Sequence, residues 1–151
     1  MTAYESIFSR FRGRITDPVF ANLSMNQQNE IMCEWIRAVI GKPRIRRIFS
    51  RIKLNDELQE MEFELRNKVD EDSDNDYVVE LIVLGMAIEW LNPQVESVLN
   101  TAPMVGGKEE KKIIDNHKYS IERLDDMKSE LNAMIRDRGY LHNSYINGEK
   151  S

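Results

Sequence analysis

The sequence predicts a mainly α fold: a helical bundle with a long C-terminal helix, one short strand or hairpin near residues 60–66, and an extended C-terminal tail. Apolar residues recur at three- and four-residue spacing along most of the chain, which is typical of helices packed on one face. Strict alternation of apolar and polar residues is confined to one short stretch. With 151 residues the chain has the size of one domain. We place that domain at residues 1–139 and the tail at 140–151.

Composition restricts the class of protein further. A hydrophobic content of 41% with 31% charged residues is typical of a folded chain with a charged surface. Cys33 is the single cysteine, so an intramolecular disulfide is excluded. The N-terminus lacks the apolar core of a signal peptide. The longest apolar run, Tyr77–Leu91, contains two glutamates and is short for a membrane span, so we expect no membrane association.

The first half of the chain predicts three helices. Ile7, Phe8 and Phe11 form the apolar stripe of a helix over residues 3–14, and Asp17-Pro18 predicts a turn. Ser24 and Gln27 form a capping box at the start of the second helix, which ends before Gly41 and Pro43. Its predicted apolar face consists of Gln28, Ile31, Trp35, Ala38 and Val39, flanked by Met32 and Ile36. In the third, over residues 44–53, the residues at helical spacing are Ile45, Ile48, Phe49 and Ile52.

The middle of the chain predicts a strand followed by a very apolar helix. Met61, Phe63 and Leu65 alternate with charged residues, which indicates a short strand. The next helix runs from Asp76 to Leu91 and is apolar on nearly its whole circumference, so it must be buried on all sides. Either another subunit covers one face, or the helix is the centre of a compact bundle. The pattern slightly favours the bundle.

The last part of the chain predicts a loop at Thr101–Gly107 and a long helix over about residues 109–138, which ends at Gly139. Arg136 and Arg138 are predicted on its solvated side. Its packing seam is predicted to contain Ile114, His117, Ile121, Leu124, Lys128, Leu131 and Ile135.

Aspartates at alternate positions from Asp70 to Asp76 have the spacing of a calcium-binding loop. The twelfth position of such a loop requires a bidentate glutamate, and Leu81 stands there instead. Acidic residues are also favoured before and within the first turn of a helix, because they satisfy free N–H groups and the helix dipole. The sequence therefore favours Asp74 or Asp76 as a helix N-cap and predicts no metal site.

No constellation of nucleophile, base and orienting group is evident, so we predict no enzyme, no catalytic residue and no cofactor. Cys33 lies in the middle of a helix, where it is most simply a packing residue. His117 lies on a helical seam, which favours a core or interface role, and His142 lies in the tail.

Charge is unevenly distributed along the chain. Residues 1–53 hold ten Lys/Arg and four Asp/Glu, a net charge of +6, whereas residues 54–151 hold eleven and twenty-two, a net charge of −11. This produces a dipolar surface that attracts other copies, unless folding intermixes the charges. A basic segment at residues 42–53 predicts contact with DNA phosphates or with acidic surface on another protein. The candidate interface residues are Arg44, Arg46, Arg47, Arg51, Lys53, Asp72 and Asp74.

Three segments together resemble one protein family. They are FRGRITDPVFANLS at Phe11–Ser24, GMAIEWLNP at Gly85–Pro93, and RGY at residues 138–140. The chain resembles the head-to-tail connector, or neck adaptor, proteins of tailed bacteriophages that infect Gram-positive hosts. The resemblance covers most of the chain and is least over about residues 41–72.

The resemblance implies a helical subunit that forms a ring, typically twelvefold, below the portal of the filled head and extends the DNA channel. The implied partners are further copies of the chain, the portal protein, the next neck or tail-completion protein, and non-specifically the packaged DNA. The implied location is the virion neck, with assembly in the host cytoplasm. A docking role of the tail falls on Tyr140, Leu141, Tyr145 and Ile146. The alternative function is a small nucleic-acid-binding regulatory protein that uses residues 42–53.

Overall fold

The computed structural model describes residues 1–141, with side chains described as far as Arg138. Within these residues the predicted mainly α fold is confirmed. The helices are α1 (Tyr4–Arg14), α2 (Pro18–Ala21), α3 (Met25–Ile40), α4 (Pro43–Arg46), α5 (Glu71–Val105), α6 (Gly107–Asn116) and α7 (Lys118–Leu141). The strands are β1 (Thr2–Ala3), β2 (Phe49–Asn55) and β3 (Glu60–Leu65), in the order β1-β3-β2 with both pairs antiparallel.

Helix α5 is the axis of the fold. Its 35 residues span about 52 Å at 1.5 Å per residue. Helix α7 runs antiparallel beside it, as three contacts show. Tyr77 Oη donates a hydrogen bond to the Met134 carbonyl over 3.0 Å. Arg138 forms an ion pair with Asp74 near the start of α5, and the Arg123 guanidinium lies 5.6 Å from the centre of the Trp90 ring.

Helices α1, α3 and α7 surround the middle of α5. Leu81, Ile82, Met86 and Ala87 in α5 are fully buried. The bundle explanation is therefore correct for the predicted apolar stretch, Asp76 to Leu91, which is covered within one subunit. By length and composition α5 could also cross a bilayer, but 67% of its most apolar 18-residue window is buried inside the fold. Its apolar composition is thus that of a core helix.

Helices α3 and α5 approach closely at a glycine. A Cβ atom placed on Gly85 would lie 2.7 Å and 2.8 Å from the two methyl carbons of Val39. Such distances are shorter than van der Waals contact, so only glycine permits this crossing. The capping box at the start of α3 is confirmed, with Ser24 Oγ accepting from the Gln27 backbone and Gln27 Oε1 accepting from the Ser24 backbone. The α3 face differs from the prediction: Met32 is at its buried centre, and Ala38 is exposed.

The predicted helix over residues 44–53 is wrong beyond residue 46. Residues Phe49–Asn55 form β2, which pairs with the correctly predicted strand β3. Phe49 lies opposite Leu65, and both are buried. Ile48 and Ile52 have helical spacing, but the segment forms a strand because β3 offers it a pairing partner. Cross-strand contacts of β-branched and aromatic residues thus favour the strand over the helix.

The predicted bounds of the apolar helix are also wrong. Helix α5 begins after Asp70, whose side chain accepts from the Ser73 backbone over 2.7 Å, so neither Asp74 nor Asp76 is the cap. It continues through Pro93, where Leu91 and Val95 on either side are buried and hold the helix in place. The predicted loop at Thr101–Gly107 is reduced to Gly106, with φ 64° and ψ 175°, a conformation open essentially to glycine.

The predicted long C-terminal helix is interrupted at His117, which is exposed and caps α6. In α7 the seam prediction is correct for Leu124, which is buried, and for Ile121, Leu131 and Ile135, which pack against the core. It is wrong for Lys128, which is exposed, whereas its neighbour Met127 is buried. Gly139 does not end α7, because the helix includes Tyr140 and Leu141, which we had placed in the extended tail. Tyr145 and Ile146 lie outside the described residues, so their predicted docking role stays a prediction.

Candidate interaction surfaces

The five candidate interface cations of the basic segment fall into different environments. Arg51 and Lys53 stand on β2 directly opposite Glu64 and Glu62 on β3. Arg51 also lies 3.8 Å from Glu62. Opposite charges placed across strands stabilise a hairpin, so both cations face glutamates within the fold, and Arg51 forms an ion pair. Arg46 donates a hydrogen bond to the Phe49 carbonyl over 3.0 Å and helps to join α4 to β2.

Arg44 and Arg47 lie instead at a cavity of about 310 Å³. We name it the arginine cavity; its lining consists of Arg44, Arg47, Ile48, Arg66, Asn67, Ile135 and Arg138. Arg66 follows β3, where its backbone N–H donates to the Ile48 carbonyl and its Nε donates to the Arg47 carbonyl, each over 2.9 Å. Closure of the hairpin therefore brings Arg66 beside Arg47.

Arg138 closes the arginine cavity from α7. It is 8% exposed and pairs with Asp74, and its Nε donates to the Asn67 carbonyl over 3.2 Å. Its guanidinium also lies 4.6 Å from the centre of the Tyr77 ring. Burial raises the pKa of Tyr77 to about 12, so the phenol keeps its proton. Arg138 is therefore a structural residue, and its predicted solvated position is wrong.

The same contact corrects the prediction for Asp74. We expected it at a subunit or DNA-channel interface, but it is 9% exposed and its carboxylate is occupied by Arg138 and by the Val69 backbone N–H. A carboxylate already paired in the interior is not available to a neighbour. Asp72, two residues earlier, remains exposed and available.

The lining cations other than Arg138 have no acidic partner among the described residues. Arg44, Arg47 and Arg66 are exposed, and within residues 1–138 none forms an ion pair. The charge run in the sequence identified the first two. Arg66 was missed because it lies outside the run, and its position beside Arg47 depends on strand pairing. The position directly after a predicted strand was the only available signal.

A second candidate surface lies at the far end of α5. Helix α7 runs antiparallel to α5, and α6 directly precedes α7 in the chain. If the same antiparallel arrangement is extended back through His117, α6 lies beside residues 96–105 of α5. We name residues 96–116 the distal arm. Contacts of α1, of the cap of α2 and of α3 lie earlier in α5, at Asp76, Trp90 and Gly85 respectively. Helix α6 has no buried residue. The arm is thus two helices thick and leaves apolar side chains in solvent, namely Leu99 (46% exposed), Met104 (85%) and Val105 (55%).

Folding intermixes the charges of the two parts of the chain. Arg10 pairs with Asp76 at 3.0 Å and with Glu80 at 2.6 Å, and Lys42 pairs with Glu89 at 2.7 Å. Basic residues from the first 53 positions thus meet acidic residues from the remainder. The dipolar surface is therefore reduced, and the unbalanced charge is concentrated at particular sites such as the arginine cavity.

The segments that carry the family resemblance meet in the fold. Asp17, from the first segment, caps α2 and accepts a hydrogen bond from Trp90 Nε1, in the second, over 2.9 Å. The hydrogen bond from Trp90 holds the pKa of Asp17 below its ordinary value, although burial acts in the opposite direction. Arg138, from the third segment, pairs with Asp74 near the start of α5, the helix that also contains Trp90. These residues are packing and hydrogen-bonding elements.

Comparison with known proteins adds no relative: no family model, curated protein or solved structure matches the chain.

Among the described residues, no group of three or more His, Cys, Asp or Glu side chains is arranged to hold a metal ion. Cys33 is half-buried against the core, and burial raises the pKa of its thiol. The two surfaces described above are therefore the basis for a functional proposal.

Proposed function

We propose that the chain is a non-enzymatic structural adaptor of a phage neck, forming a ring that joins the portal of the DNA-filled head to the tail and extends the DNA channel. The observation that carries this proposal is the distal arm. Two helices in one layer cannot bury apolar side chains on both sides, so Leu99, Met104 and Val105 require a partner to leave water. A neighbouring copy supplies such a partner in a ring.

The family resemblance selects this partner from the alternatives. Its three segments lie in the body from which the distal arm extends, so the resemblance and the exposed apolar surface belong to one folded unit. In a ring, each subunit contributes one surface and accepts a different one, a heterologous contact that closes after a fixed number of copies. A ring of about twelve copies and contacts with the portal and the next neck protein follow from the resemblance.

The proposal is tested by complementation of a phage from which this gene has been deleted. We expect filled heads without attached tails to accumulate, and wild-type protein to restore infectious particles. The variant Met104→Glu/Val105→Glu places two charges on the distal arm. It is expected to fold normally, because both side chains are more than half exposed, but to restore few particles.

Leu58→Glu is the matched control. Leu58 is also an exposed apolar residue (67%), but it lies in the turn between β2 and β3. It should restore particles as the wild type does. Normal particle yield with the arm variant would refute the role of the distal arm, and particles that form without the gene product would refute the adaptor function itself.

A further inference from the structure

The arginine cavity has the composition of an anion-binding site. Arg44 in α4, Arg47 at its C-terminal cap and Arg66 directly after β3 all line it, and no carboxylate of the described residues does. Like charges that line one cavity repel one another, and a bound anion would remove this repulsion. Arg66 is nevertheless held at the cavity, since its Nε donates to the Arg47 carbonyl and its backbone N–H donates to the Ile48 carbonyl.

We propose that the arginine cavity binds a phosphate group, supplied either by a nucleic-acid backbone or by a small free phosphate ligand. The inference is independent of ring assembly, because it uses one subunit and a surface remote in sequence from the distal arm. Guanidinium groups bind phosphate oxygens through two parallel N–H donors, and the planar geometry is fixed before binding. Ile48 and Ile135 supply an apolar wall, which lowers the local dielectric and strengthens the attraction.

Charge and size favour phosphate over a single carboxylate. Three guanidiniums that have no acidic partner among the described residues carry a charge of +3, and one carboxylate would compensate only a third of it. A phosphate monoester carries about −1.5 to −2 at neutral pH, and a nucleic-acid strand brings further charges with each nucleotide. The volume of about 310 Å³ is roughly ten times the share of one water molecule in the liquid, so a phosphate group fits with part of its hydration.

The test compares two double variants of the full chain with the same change in charge. Arg44→Gln/Arg47→Gln removes two cations from the cavity; neither side chain donates a hydrogen bond to the described residues, so the fold should persist. Arg51→Gln/Lys53→Gln removes two cations that face glutamates on β3. The probes are inorganic pyrophosphate, measured by calorimetry, and a fluorescent single-stranded oligonucleotide, measured by anisotropy at several salt concentrations.

We expect the cavity variant to bind at least one probe about tenfold more weakly than wild type, and the β2 variant to change affinity less than about twofold. For the oligonucleotide, the salt dependence should also become shallower in the cavity variant, since fewer counterions are released. Binding of pyrophosphate alone would assign the site to a small phosphate ligand, and tighter binding of the oligonucleotide would assign it to nucleic acid.

Three results would overturn the proposal. One is the absence of binding by both probes in wild-type protein. The second is equal loss of affinity in the two variants, which would indicate diffuse attraction to any basic surface. The third is binding of succinate as tight as that of pyrophosphate, which would show a preference for carboxylates. Circular dichroism and thermal unfolding of both variants verify that loss of binding does not reflect loss of the fold.

Discussion

Substitution of Gly85 by alanine tests the closest helix contact in the fold. The added Cβ would lie 2.7 Å and 2.8 Å from the two methyl carbons of Val39 and 3.3 Å from its Cβ. Rotation of the valine about χ1 replaces one methyl by the Cβ hydrogen but leaves the other methyl against the added carbon. Overpacking in a rigid core costs about 1–3 kcal/mol, while replacing a helical glycine by alanine gains about 1 kcal/mol. We therefore expect a net loss of stability of up to about 2 kcal/mol.

Urea unfolding of the full chain measures this change, and Gly13→Ala is its control. Gly13 is also helical, but a Cβ there would meet no atom within 4 Å. This variant should gain about 0.5–1 kcal/mol, because only the propensity term remains. In Gly85→Ala, the second substitution Val39→Ala should recover part of the loss, with a coupling energy of about 0.5–3 kcal/mol. A stabilised Gly85→Ala protein, or no coupling with Val39, would refute the close packing.

Two further variants test the contacts that tie the elements to α5. Asp74→Asn leaves Arg138 buried without a countercharge, so we expect urea unfolding to show a loss of about 3–5 kcal/mol in the free energy of unfolding. The control Asp72→Asn changes an exposed residue and should lose less than about 0.5 kcal/mol. Equal losses in the two variants would contradict the buried ion pair. Asp17→Ala removes a cap and the acceptor of Trp90, for a loss of about 1–3 kcal/mol in the same assay. Because the folded pKa of Asp17 is below its ordinary value of 3.8, its contribution is fully present above pH 3.8 and lost as the pH falls through the folded pKa. The difference in stability between wild type and Asp17→Asn should therefore shrink below about pH 4, and a difference that grows in acid would contradict this sign.

Local signals in the sequence predicted the elements that depend on local chemistry. The capping box at Ser24 and Gln27 fixes the start of α3 through hydrogen bonds within four residues. The alternation around Phe63 predicted β3, because one face of a sheet is buried and the other is not. The stripe of α1 predicted its buried residues for a similar reason.

The errors arose where distant residues decide the structure. Residues 49–53 have the spacing of a helix but become a strand because β3 offers a partner. Helix α5 passes Pro93 because tertiary packing on either side outweighs the missing N–H. Arg138 has the sequence context of a solvated helix end, and only its pairing with Asp74, 64 positions away, makes it a buried residue.

The candidate surfaces were only partly accessible to sequence reasoning. The charge run identified Arg44 and Arg47, but it did not separate them from Arg51 and Lys53, which face glutamates on the opposite strand. The distal arm was not predicted, because the sequence suggested a loop at its centre. Its exposed apolar residues indicate an interaction surface only once the antiparallel arrangement of α5 and α7 is known. That arrangement shows that α6 is the one helix of the described residues beside them.

Electron microscopy of intact virions tests the adaptor function most directly. A reconstruction of the neck should contain a closed ring of this chain between the portal and the tail, with the distal arm of each subunit packed on its neighbour and the ring enclosing the DNA channel. Absence of the chain from purified virions, or its location away from the head-to-tail junction, would contradict the account.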